Sequence, residues 1–229
     1  MKLLHVHIRG WTATFRLPLL YSGTGLSSPV PPYSTLLGLM GALAGREIFP
    51  HETRIGFMFK SEGVAIDIER TTRLKLNRAS GRLVEHPERG IAYRQFLVMP
   101  QLDLFLDNLA FEKIFQEPQN PLCLGRSQDV AWIEKVKVII AEPVSAGKVR
   151  GTLLPFPQTG VSGQILVLPD YFNNRTRGYT RTVGKLQPYF AVKFATPSIV
   201  ENVQQGELVK VESHEEAIYL HNLMSNHAN

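Results

Sequence analysis

A single cysteine, Cys123, stands in a chain of 229 residues. One thiol cannot form an internal disulfide, and no cluster of cysteines is available for structural zinc. No apolar run is long: the longest, Leu36 to Gly45, is about half of the roughly 20 residues needed to cross a bilayer. The opening segment, Met1-Lys2-Leu3-Leu4-His5-Val6-His7, has neither a sustained hydrophobic core nor a small-residue cleavage site, so it does not read as a secretory signal. These absences point to a cytoplasmic protein without a membrane segment. Also missing are the Gly-x-x-x-x-Gly-Lys-Ser/Thr, Gly-x-Gly-x-x-Gly and Gly-x-Ser-x-Gly loops, and no lysine is adjacent to a histidine. No active site is expected, and no cofactor.

What is present is a soluble-protein composition, 44% apolar and 20% charged, at a length that suits one medium domain or two small ones. Fifteen prolines and eighteen glycines indicate many turns and a β-containing architecture. The net charge is +5, and its distribution is uneven. Between Arg70 and Arg94 stand Arg70, Arg73, Lys75, Arg78, Arg82, Arg89 and Arg94, against only Glu85 and Glu88. A second segment, Tyr171 to Lys193, holds Arg175, Arg177, Arg181, Lys185 and Lys193 with no acid, interleaved with Tyr171, Phe172, Tyr179, Tyr189 and Phe190. Cations that follow phosphates and rings that stack on bases suit single-stranded nucleic acid. A basic hairpin can also be a solvated surface; two acid-poor runs in one chain favour nucleic acid. Glu201, Glu207, Glu212, Glu215 and Glu216 make the end of the chain acidic, facing solvent or a protein partner.

Along the chain, Leu4, Val6 and Ile8 alternate as on a half-buried strand, and the parity flips past Gly10, which predicts a long strand bulged there. Ser34 reads as the N-cap of a helix carrying Leu36, Leu37, Leu39, Met40 and Leu43, with Gly45 as its stop. Gly38 and Gly41 suggest close packing of that helix on another backbone. Strands follow at 54–60 and 64–69, then the basic segment with turns near 79–81 and 87–90, and a strand over 95–106 interrupted at Pro100. A short helical pattern covers 108–116, and Val136, Val138 and Ile140 alternate as a further strand. The order is β-α-β-β-α-β, so the fold class expected is α+β: a ferredoxin-like, RRM-like domain over residues 1–142, with a basic β-hairpin thumb inserted at about 70–94. Residues 143–229 read as a small β-rich C-terminal subdomain.

Three features together carry a resemblance. Gly10-Trp11-Thr12-Ala13-Thr14-Phe15-Arg16 is followed by Pro29-Val30-Pro31-Pro32-Tyr33-Ser34-Thr35-Leu36-Leu37-Gly38-Leu39-Met40-Gly41-Ala42; Leu122-Cys123-Leu124-Gly125-Arg126-Ser127-Gln128 lies between the second helix and the next strand; and the basic extension sits mid-fold. Over residues 3–142 the chain is similar to the CRISPR-associated Cas-five family of RAMP proteins. The resemblance implies an antiviral-defence subunit of a type I Cascade complex. It would cap the 5′ handle of the crRNA without catalysing a reaction and contact the backbone and large subunits; the basic-aromatic run after Pro143 could meet RNA, target DNA near the PAM, or the large subunit. It implies RNA contacts by Tyr33, Ser34 and Thr35 at the helix start, Arg70, Arg73, Lys75, Arg78 and Arg82 on the thumb, and Arg126 and Ser127 in the loop. Arg175, Arg177 and Arg181 of the second basic run join them on charge.

One branch of that family, in type I-C systems, cuts precursor RNA without a metal, using Tyr, Lys and His side chains. Tyr33 could supply the ring, and His51 or His86 a base if the fold brought one to the scissile phosphate, so a metal-independent endoribonuclease is the alternative. A third reading is a protein-docking module that touches RNA only inside an assembly. His5 and His7 share a strand face and could in principle share a metal, but without a clear third ligand a polar sheet face is expected. Asp67 with Glu69, and Asp103 with Asp107, likewise read as structural, and Cys123 as a semi-buried loop residue.

Overall fold

The computed structural model describes residues 1–17, 24–173, 182–201, 203–204, 206–212 and 214–223. Strand β1, Lys2–Gly10, presents Leu4, Val6 and Ile8 to the main core and Leu3 to a second cluster. It does not bulge at Gly10. The pairing slips between His7 and Ile8, where the partner strand carries Glu134 as an extra residue, and beyond Gly10 Thr12–Ala13 pair with a different sheet. Helix α1, Tyr33–Ala44, buries Leu36, Leu37, Leu39, Met40 and Leu43. Its N-cap is Pro32, not Ser34, because the extended Pro32 backbone (φ −61°, ψ 149°) already places Tyr33 in the first turn. Gly45 closes the helix in the left-handed region at φ 64°, as expected. Of its two inner glycines, only Gly41 is tight: a Cβ there would come 3.0 Å from the Arg46 carbonyl, whereas one at Gly38 would meet nothing.

Strand β2, Ile55–Lys60, is followed by a long hairpin, β3 (Gly63–Asn77) and β4 (Arg82–Val98), and then by β5, Gln101–Leu106. The hairpin is longer than the 70–94 segment, since its apolar alternation begins at Val64. The turn expected at 87–90 is instead a bulge: Thr72 pairs with Arg89, and Leu74 with Glu85, so the extra residues are absorbed within β4. The tip is the predicted one, with Asn77 Oδ1 accepting from Ala79 N at 3.0 Å and Gly81 at φ 66°. Pro100 separates β4 from β5, next to Met99 at φ 48°. In place of one helix over 108–116, Asn108 caps a 3-10 turn at Leu109–Phe111 that runs into α2, Glu112–Gln116; Phe111 and Phe115 enter the core.

Strand β6, Ala131–Pro143, returns beside β1, and the C-terminal part supplies β7 (Thr152–Pro155), β8 (Gln164–Pro169), β9 (Leu186–Val192), β10 (Leu208–Val211) and β11 (Ala217–Tyr219). One six-stranded antiparallel sheet runs β11-β10-β6-β1-β5-β2. The sheet curls until its ends meet: Ile55 of β2 and His221, just past β11, exchange backbone hydrogen bonds of 3.1 and 2.9 Å. The edge of β2 is thereby covered rather than left open. The approach is close enough to require glycine at 56, where a Cβ would lie 2.7 Å from Ile218 and 2.9 Å from the Tyr219 carbonyl.

A separate sheet, β7-β9-β8, packs Leu153, Leu166, Leu168, Tyr189 and Ala191 into the main core. Residues 143–229 also form a small cluster of their own around Val149, Leu154, Val192 and Tyr219. The boundary expected after residue 142 falls at the end of β6, Ala131–Pro143. Among the described residues, no helix is long and apolar enough to cross a membrane.

Candidate nucleic-acid interface

The start of α1, the root of the thumb and the Gly125 loop meet around a cleft of about 440 Å³ lined by Arg16, Ser34, Thr35, Arg94, Gly125 and Arg126, with Phe172 on the far wall. The loop is held against the chain beyond β1 by Thr14 N donating to Leu124 O at 2.9 Å and by Thr12 Oγ1 donating to Asp129 at 2.6 Å. Gly125 has φ 120°, and a side chain there would run into the Thr14 backbone, so the tight Leu-Gly-Arg turn requires glycine.

Arg126 is the hub of this loop. It donates to Asp129 through Nε (3.2 Å) and Nη2 (3.1 Å), and to Glu69 at the thumb root through Nη1 (2.8 Å), with its guanidinium 5.9 Å from the Phe96 ring centre. Arg94 grips the same Glu69 through Nε and Nη2 at 3.1 and 3.0 Å. Burial alone would lower the basicity of Arg126 and raise the Asp129 carboxyl. The bonds between them outweigh it, holding Arg126 more basic and Asp129 more acidic than usual. Glu69 is likewise held low, first by Arg94. Arg126, expected from the sequence as an RNA contact, lines the cleft and at the same time fastens the thumb to the loop.

Two donors remain directed at the cleft. Arg16 is exposed and has no ion-pair partner among the described residues. Helix α1 carries no side-chain cap and no acid in its first turn; Thr35 N and Leu36 N both bond to Pro32 O, leaving the Tyr33 and Ser34 N–H groups without partners among the described residues. An uncapped helix start beside an unpaired arginine suits a phosphate.

Tyr33 cannot offer its ring to RNA. It is 1% exposed, donates its hydroxyl to Leu153 O at 3.0 Å and stacks on His221 at 4.7 Å between ring centres. Burial, reinforced by Tyr189 and Tyr219, pushes its phenol well above the ordinary value. Ser34 is buried at the cleft wall, Thr35 is half-buried, and Ser127 is exposed, its carbonyl accepting from Cys123 Sγ at 3.4 Å.

The thumb cations Arg70, Arg73, Lys75, Arg78 and Arg82 are all exposed. Strand alternation sorts them: Arg73, Lys75 and Arg82 share one face, Arg70 lies on the other, and Arg78 is in the turn. The Arg70 face also carries Thr72, Glu85 and Gln95 but is mostly apolar, with Val64, Ile66, Ile68, Leu74, Leu76, Leu83, Ile91 and Tyr93 ranging from 50% exposed at Tyr93 to 72% at Ile91. Sequence reasoning missed this stripe, although Val64, Ile66 and Ile68 already alternate; it also passed over Arg16. Arg175, Arg177 and Arg181 lie outside the described residues. His51 stacks on Phe49, and His86 lies on β4 of the thumb.

No protein-family model matches the sequence, and no curated protein matches it as a relative. Solved structures do match in fold. One is a chain of a CRISPR RNA-guided surveillance complex, at TM-score 0.57 and 14% identity, covering 86% of this chain and 90% of that one. Another is a chain of the type III-B Cmr-beta complex bound to cognate target RNA, at TM-score 0.52 and 11% identity, covering 86% of each. The chain thus shares its fold with chains of these two complexes.

Proposed function

We propose that this chain is a Cas-five-type subunit of a type I CRISPR Cascade, a non-catalytic protein that caps the 5′ handle of the crRNA in the cytoplasm and contacts the backbone and large subunits. The strand order β6-β1-β5-β2, with α1 and α2 in the connections and the hairpin between β2 and β5, supports reading its centre as a ferredoxin-like domain. The observation that carries the functional reading is the cleft where the uncapped start of α1 and Arg16 face the thumb root. A handle phosphate seated there would be met by two backbone N–H groups and a guanidinium. The Arg73, Lys75 and Arg82 face would follow the RNA backbone, and the apolar face would lie against a neighbouring subunit. Guide pairing would read the target sequence, while this chain holds the handle by shape and charge.

The endoribonuclease alternative needs a tyrosine at the scissile phosphate, and the burial of Tyr33 counts against it. The test is photo-crosslinking of crRNA carrying 4-thiouridine in the handle within the assembled complex. Crosslinks in the peptides holding Arg16, Ser34–Leu36 and the Gly125 loop are expected. Crosslinks confined to other subunits would refute the handle-cap reading.

A further inference from the structure

His5 and His7 lie on the face of β1 opposite to Leu4, Val6 and Ile8, and the fold supplies the partners that the sequence left unnamed. Asp103 is the register partner of His7 on β5, Glu134 is the extra residue of the slip in β6, and His214 sits just beyond β10. His5 Nε2 and His7 Nδ1 both meet Asp103 Oδ1, at 2.7 and 2.8 Å, while His7 Nε2 is 3.4 Å from Glu134. His214 stands edge-on to His5 at 5.5 Å between ring centres, and Phe105 stacks on His5 from 4.7 Å. One ligand atom from each of His5, Asp103 and His214 falls within 4.8 Å of the others.

This cluster is not satisfied by its own hydrogen bonds. Among the described residues, His5 Nδ1 and His214 Nε2 are buried and have no hydrogen-bond partner. Two orphaned imidazole nitrogens beside a carboxylate are costly unless something binds there.

We propose that His5, Asp103 and His214 form a binding site for one divalent transition-metal ion, with zinc the best fit. Imidazole and carboxylate donors at bonds of roughly 2.0–2.2 Å are zinc's ordinary ligands, and three protein ligands leave a fourth position for water. Exposure rises from the His5 side chain, at 6%, to Glu134, at 36%, which gives the ion a route in. His7, bridging Asp103 and Glu134, is the outer partner that orients the carboxylate. The ion would clip β1 and β5 to the segment between β10 and β11, near the closure of the curled sheet. The inference does not depend on RNA binding.

The test is titration of the chelator-treated full chain with Co²⁺, read by its visible ligand-field absorption, with Zn²⁺ as competitor. One equivalent per chain is expected, displaced by Zn²⁺. Asp103→Asn and His214→Gln should each weaken binding by more than about 100-fold, and His7→Gln by about 10–100-fold as an outer partner. His51→Gln, away from the cluster, should bind as the unaltered chain does. His214 is only half-buried, so its replacement is checked for an unchanged far-UV spectrum without metal. No stoichiometric uptake by the unaltered chain, or undiminished binding by a folded His214→Gln variant, would overturn the proposal.

Discussion

Replacing Arg73, Lys75 and Arg82 together by alanine removes the exposed cations from one face of the thumb, where the ion-paired Arg94 remains at the root, and leaves the opposite face intact. On a single strand each phosphate contact contributes about 0.7 to the slope of log affinity against log salt. Three lost contacts flatten that slope by about 2, so a fourfold rise in salt weakens the variant about 20-fold less than the parent. The assay is crRNA affinity of the assembled complex over a salt series. All three side chains are exposed, so stability should move by no more than about 0.5 kcal/mol, which a thermal melt checks. The pair Ile66→Thr and Ile68→Thr, on the opposite face, provides the contrast and should leave the slope unchanged. A triple variant with the parental slope, or an isoleucine pair that flattens it equally, would refute the assignment of faces.

Three further outcomes follow from the packing. Tyr33→Phe removes one buried hydrogen bond and should cost about 1 kcal/mol in urea unfolding while leaving RNA affinity within twofold, about 0.4 kcal/mol; a large affinity loss at unchanged stability would put the ring back at the RNA. Gly56→Ala forces a Cβ against Ile218 and the Tyr219 carbonyl and should destabilise by about 1–3 kcal/mol, whereas a neutral result would contradict the closure of the sheet. Arg126→Ala strands the buried Asp129 carboxylate and should cost about 3 kcal/mol. Because the Asp129 carboxyl is held below its unfolded value, its contribution is full above about pH 4 and lost as pH falls through the folded value; the urea midpoint of the variant should therefore fall less steeply in acid than the parent's.

Much of the element order was legible because it depends on local pattern: period-two alternation in β1 and β6, the leucine-rich face of α1, and Gly45 and Gly81 at positions of positive φ. The errors arose where a neighbour overrode the local signal. Ser34 looked like a cap because its type favours one, but the fixed dihedral of Pro32 starts the helix two residues earlier than that reading requires. Pro87 looked like a turn, and the long pairing of β3 with β4 absorbed it as a bulge. The thumb was bounded by its charges, although the alternation of Val64, Ile66 and Ile68 already extended it. At the site, charge alone cannot tell a solvent-facing arginine from a paired one. Arg126 is tied to Asp129 and Glu69, while Arg16 is exposed without an ion-pair partner among the described residues. His5 and His7 were visible as a pair, but Asp103 and His214 arrive through pairings about 100 and 200 residues distant, which no local pattern encodes.

The central claim is tested most directly by expressing the tagged chain with its neighbouring genes and a CRISPR array, then sequencing the RNA that co-purifies. Guide RNAs with one uniform repeat-derived 5′ end, lost when Arg16 and the Arg73, Lys75 and Arg82 face are replaced, are the result the account predicts. Random cellular RNA, or none, would contradict it.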